Sequence, residues 1–198
     1  MKSHLNRAAL SLAAVLLAGP AFAQDATNMP STTMETYNDW NLACAQVPTA
    51  PPPAAPADPA KKDATPTPPP ASKTLCEVSQ IYNNKNAGGG EVARMSFFMN
   101  PNNKGQVDAG LRVLVDVSFE KPARVLDADK ELLSGPFKRC AGKYCYAVFE
   151  NVGDKLQALQ GAAAMAFEYP VSSGQVIKVP MSPRGLDKAL DALKAKQQ

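Results

Sequence analysis

Four cysteines, Cys44, Cys76, Cys140 and Cys145, constrain this chain more than any other feature. An even cysteine count in an exported protein reads as disulfides, and the first residues read as an export signal. Lys2 and Arg7 form a positive n-region, "AALSLAAVLLAG" an apolar h-region, and Ala21-Phe22-Ala23 an A-x-A cleavage site. The apolar run is too short for a membrane span and no later stretch approaches that length, so no transmembrane segment is expected after cleavage. Gln24, not a cysteine, follows the cut, which argues against a lipoprotein. Three cysteine pairings are open. The favoured one joins Cys44 to Cys76, linking two strand-like segments, and Cys140 to Cys145, closing the turn-sized "AGKY" eased by Gly142. Chain entropy assigns about 4 kcal/mol to the long loop and about 2 kcal/mol to the short one. "CAGKYC" is CX4C, not the CXXC of thioredoxin-like redox pairs, and the cysteine spacings do not suit zinc.

Without residues 1–23 the chain runs from Gln24 to Gln198. It loses Lys2 and Arg7 and keeps 19 basic against 18 acidic side chains, a net charge of +1. Nothing in that balance suggests a nucleic-acid binder, which would need a basic stripe. The only histidine is His4, inside the signal. The mature chain therefore has no imidazole for a Ser-His-Asp or Cys-His nucleophile, an HExxH metal site or a histidine pH switch. No enzymatic activity, cofactor or metal is expected.

Period-two patterning dominates the rest. "TYNDWNLACAQ" places Trp40, Leu42 and Cys44 on one face, and "TLCEVSQIYN" reads as a second strand. "VARMSFFM" aligns Met95, Phe97 and Met99. "LRVLVDVSF" aligns Leu111, Val113, Val115, Val117 and Phe119 and predicts a strand over 111–119. "YCYAVF", "AMAFEY" and "QVIKVPM" follow, with Pro180 expected near an edge or strand end. Two short helices are predicted. "DKLQALQG" carries Leu156 and Leu159, and "SPRGLDKALDALKAK" has Ser182 as cap, Pro183 at the first helical position and Leu186, Leu190 and Leu193 as its apolar stripe. Gly, Pro and Asn turns between short strands predict a mainly β fold: a disulfide-stapled antiparallel β-sandwich with one or two short helices, including a C-terminal one.

Ten prolines fall between Pro48 and Pro70. Residues 24–47 are too few for a domain of their own. The expected layout is a signal peptide at 1–23, a flexible N-terminus at 24–36, and one β-domain at 37–198 with 48–74 as a Pro/Ala-rich inserted loop. Such composition favours extended polyproline II.

"DADKE", from Asp127 to Glu131, opens like a calcium loop, but Leu132 stands where glycine is required and Lys138 where glutamate is; a solvated turn is expected. Lys138, Arg139 and Lys143 bracket the small cysteine loop beside Tyr144 and Tyr146, forming a candidate basic-aromatic contact patch for anionic headgroups, lipopolysaccharide or an acidic protein surface. An alternative is a binding module for a small apolar or lipid ligand in the sandwich core, lined by Met95, Phe97, Met99, Met165, Phe167 and Met181.

"DWNLAC" and "CEVSQ" resemble the opening of the invasion-associated locus B (IalB) family. "GPFKRCAGKYCYAVF" resembles its central segment, and "SPRGLDKALDAL" its closing helix. The likeness runs from Asp39 to about Leu193, with a much longer proline tract than relatives carry. The resemblance implies a secreted or periplasmic bacterial protein, outer-membrane associated in some members and linked to host-cell invasion in some. It implies a structural role for Trp40, Cys44, Cys76, Cys140 and Cys145 and supplies no catalytic residues. Partners expected on this basis are a protein or an envelope component such as the outer membrane, lipopolysaccharide or peptidoglycan.

Overall fold

The computed structural model describes residues 32–49, 72–84, 89–103 and 105–196. Residues 1–23, where a signal peptide is expected, residues 24–31 and the greater part of the proline tract lie outside the described residues. Two antiparallel sheets face each other, as the alternating pattern requires. The first joins β1 (Thr32–Tyr37), β2 (Trp40–Pro48), β3 (Ser72–Asn83), β4 (Glu91–Met99) and β5 (Val107–Leu114). The second brings together β6 (Ala123–Asp127) and β7 (Lys130–Gly135), after which β8 (Phe137–Ala141) and β9 (Tyr144–Phe149) return to the first. A 3-10 turn at Gly153–Lys155 leads into α1 (Leu156–Gln160). Then β10 (Met165–Pro170) and β11 (Val176–Pro180) complete the second sheet before α2 (Leu186–Ala195). The strand orders are β1-β2-β3-β4-β5-β9-β8 and β11-β10-β6-β7.

A sheet of seven strands is wider than one of four. The uncovered inner face of β1 to β4 is closed by α2, whose Leu186, Ala189, Leu190 and Leu193 are fully buried. Burying each leucine contributes roughly 1.5–3 kcal/mol. Trp40, Leu42, Val78, Met95, Phe97, Leu111 and Val113 supply the inner face of the large sheet, and Val125, Met165 and Phe167 that of the small one. Trp40 packs on Phe97 with ring centroids 5.6 Å apart, and Tyr82 meets Phe167 edge-on at 5.1 Å. Met95, Phe97, Met165, Phe167 and Met181 are thus packed into the core, and Met99 lies at its margin.

Both disulfides are rungs between neighbouring strands. Cys44 faces Cys76 across β2 and β3 with Cα atoms 4.0 Å apart, and Cys140 faces Cys145 across β8 and β9 at 3.9 Å.

Several boundaries differ from the sequence reading. The flexible N-terminus expected over 24–36 overlaps β1, whose residues from Thr32 onward pair along β2. The threonines there suit an edge strand. The inserted loop expected over 48–74 is narrower at both ends, because β2 and β3 stay paired up to Pro48 and Ser72. The strand expected over 111–119 stops at Leu114. Asp116 takes a φ of 88° and the chain crosses to the second sheet, where Val117 bridges Val171. Val115 and Phe119 are left exposed. β6 and β7 were not anticipated. They form a hairpin around Asp127–Lys130, so "DADKE" is a turn, with Asp127 accepting the N–H groups of Ala163 and Ala164. Pro180 ends the edge strand β11, where no ladder donor is needed.

Candidate functional site

The motif residues at the two ends of the domain converge on one polar cluster. β2 presents Trp40 next to Asp39, β3 presents Gln80 and Tyr82, and the segment entering α2 supplies Ser182 and Arg184. Trp40 Nε1 donates to the Ser182 carbonyl at 2.9 Å. Gln80 Nε2 donates to the Asp39 carbonyl at 3.2 Å, and Gln80 Oε1 accepts from Ser182 N at 3.0 Å and from the Tyr82 hydroxyl. Ser182 Oγ donates to Asp39 Oδ2 at 2.6 Å, and Arg184 closes a two-pronged contact on the same carboxylate at 3.0 and 3.2 Å. Arg184 first, and then Ser182, hold the Asp39 carboxyl below its usual range. Burial raises the Tyr82 hydroxyl well above the usual phenol range.

Ser182 therefore does not cap α2 as expected. The residue before the helix is Gly185, with no side-chain cap, and the Ser182 hydroxyl is committed to Asp39. Gly185 has a φ of 86°, and a Cβ there would overlap the Tyr37 carbonyl, with its carbon only 2.8 Å away. Every group in the cluster is engaged with another, so the arrangement pins α2 onto the sheet.

The outward face of the large sheet is built differently. Strand alternation places Arg94, Arg112, Tyr146 and Arg139 in one row across β4, β5, β9 and β8. Glu91 accepts from Arg94 at 2.8 Å and from Arg112 Nε at 2.8 Å. Partial burial raises the Glu91 carboxyl, but these two guanidinium groups outweigh it and leave it below its usual range. Arg94 also lies 3.6 Å from Glu77, which accepts from Ser96 Oγ at 2.5 Å. The Arg112 guanidinium sits 4.7 Å from the Tyr144 ring centre and Lys143 Nζ 5.2 Å from the same ring, while Arg139 sits 5.5 Å from that of Tyr146. Exposed contacts of this kind contribute about 0.5–1 kcal/mol each. Among the described residues neither Arg139 nor Lys143 has a carboxylate partner.

The structure brings Arg139, Lys143 and Tyr144 of the anticipated patch together. Lys138 differs, since it occupies a bulge and pairs with Glu150 at 3.4 Å. Arg94 and Arg112 were missed. The available signal was the outward parity of Arg112 within "LRVLVDVSF", opposite Leu111 and Val113.

Two other concavities lie on outer surfaces. One of about 370 Å³ on the small sheet holds Arg124 between Glu168 and Glu131, beside Lys121, Tyr169 and Val176. Another of about 470 Å³ near the base of the proline tract is lined by Ala43, Ala45, Val47, Leu75 and Phe98. Among the described residues no three His, Cys, Asp or Glu side chains are gathered as a metal site, and no helix is long and apolar enough to cross a membrane.

A two-layer antiparallel β-sandwich with a disulfide rung near the start of its first sheet, a second at that sheet's far edge and a pinned C-terminal helix defines the class of protein. The model of the family described as invasion associated locus B (IalB) protein matches residues 63–194, two-thirds of the chain. The chain belongs to that family. A solved structure, the crystal structure of invasion associated protein B from Bartonella henselae, shares the fold with a TM-score of 0.55. It is 19% identical and the match covers 83% of this chain and 97% of that one. No curated protein matches.

Proposed function

We propose that this IalB-family protein is a non-enzymatic interaction module of the bacterial cell envelope, exported by its N-terminal signal and contacting an anionic envelope component through the outward face of the large sheet. The carrying observation is the cluster of Arg112, Arg139 and Lys143 over Tyr144 and Tyr146, in which Arg139 and Lys143 lack carboxylate partners among the described residues. A cation on an aromatic ring keeps its charge available while the ring holds it in place. The disulfide pairs support an oxidising compartment outside the cytoplasm. The lack of any histidine beyond His4 supports a role without acid-base chemistry. A part in host-cell invasion is proposed on family membership.

The test is sedimentation of purified mature protein with lipopolysaccharide-containing vesicles, comparing wild type with Lys138→Glu/Arg139→Glu/Lys143→Glu. At low salt the variant is expected to lose most of the bound fraction, and wild-type binding is expected to weaken as salt rises. Equal binding by the two proteins at low salt refutes the reading.

A further inference from the structure

We propose that a trough on the outward face of the large sheet is a binding site for one ring of an acidic saccharide. This deepens the envelope-contact reading by naming a ligand class, and it rests on that reading for its biological setting only. The trough follows a row of small residues, Ser96 on β4 and Gly110 on β5, running toward Val148 on β9. Glu77 and Phe98 form one wall, and Arg94, Arg112 and Tyr146 the other. Its volume is about 210 Å³. Drug-sized ligands occupy sites of roughly 300–1,000 Å³, so the space suits a single ring.

The chemistry of the walls selects the ligand. A sugar ring presents apolar C–H faces and hydroxyls that both donate and accept. Phe98 and Tyr146 offer apolar flanks. Glu77 accepts, Arg94 and Arg112 donate, and Ser96, whose hydroxyl proton goes to Glu77, accepts. An acyl chain would meet charged walls. Outside the lining, one strand beyond Tyr146, Arg139 lies on the Tyr146 ring with no carboxylate partner among the described residues, within reach of an anionic substituent on a ring held in the trough. Arg94 Nε is buried without a hydrogen-bond partner, so the guanidinium gives up no bond on that side when it turns toward a ligand.

The experiment is an NMR titration of the mature protein with trigalacturonate, its methyl ester, maltotriose and a phosphorylated glucosamine disaccharide. Saturable shifts at Ser96, Gly110 and Tyr146 are expected with one or both acidic sugars, with binding at least tenfold weaker for the methyl ester and maltotriose. Binding by trigalacturonate alone assigns a carboxylate, and by the disaccharide alone a phosphate. Gly110→Val fills the trough. A Cβ at Gly110 meets Phe98 at 3.5 Å and the Ala147 carbonyl at 3.8 Å, ordinary contacts, and the circular dichroism spectrum and Tm of the variant check that the strand tolerates the added γ-methyls. This variant is expected to lose saccharide binding at least tenfold, whereas Lys138→Glu/Lys143→Glu, which leaves the trough and Arg139 unchanged, is expected to keep it, which separates the trough from the cationic edge. No shifts with either acidic sugar, equal affinity for neutral and acidic sugars, or undiminished binding by Gly110→Val overturns the proposal.

Discussion

Replacing Gly185 by alanine should damage this fold more than the same change at Gly89, Gly105, Gly142 or Gly174, positive-φ glycines that have open space around them. Two costs add. A non-glycine residue in the left-handed region costs roughly 1–2 kcal/mol, and Gly185 has a φ of 86°. The new Cβ would also overlap the backbone of Tyr37, whose carbonyl carbon lies 2.8 Å from its position. Relieving that overlap means moving β1 or the start of α2, at about 1–3 kcal/mol. The sum is about 2–5 kcal/mol. At this size each kcal/mol shifts Tm by about 2–4 °C, so the expected fall is about 4–20 °C. Gly142→Ala is the control: its φ is 58° and nothing lies within 4 Å of its Cβ position, so it carries only the conformational cost. Chemical denaturation of both variants, with disulfides intact, measures the difference. If Gly185→Ala is no less stable than Gly142→Ala, the close approach of α2 to Tyr37 is wrong.

Removing Cys44 and Cys76 together should cost about 4 kcal/mol, and removing Cys140 and Cys145 about 2 kcal/mol, because the loops span 32 and 5 residues; urea unfolding of the two alanine pairs gives the order. Asp39 has its folded pKa depressed by Arg184 and Ser182, so its contribution is present above the ordinary carboxylate range and is lost as pH falls through the folded value. Asp39→Asn should therefore be less stable than wild type at neutral pH, with the gap closing in acid; a gap constant with pH removes the argument.

The strands whose alternation marks one buried face were legible, because Trp40, Leu42 and Cys44, or Met165 and Phe167, can only face a core together. The same logic overran at Val115 and Phe119. Hydrophobic parity continues there past the point where Asp116 turns the chain, and parity carries no information about backbone turns. β6 and β7 escaped notice because "ARVLD" and "KELLSG" are short and interrupted by charge. Lys143 and Tyr144 are neighbours in sequence and so were visible as a patch. Arg94 and Arg112 lie 18 positions apart and meet only through the register of β4 and β5. Trp40, Gln80 and Ser182 came to notice as pieces of a family pattern, whereas their shared hydrogen bonds depend on the chain's two ends meeting.

That meeting has a consequence in time. A ribosome delivers Ser182 to Leu193 after every strand of both sheets, yet these residues cover Trp40 and the first four strands. Until they arrive, the early ladder has a wet apolar face and no means to close it. Segment 182–193 thus decides whether the domain is closed: a chain truncated ahead of it exposes a hydrophobic flank that chaperones and proteases recognise, and only a chain that carries it hides that flank.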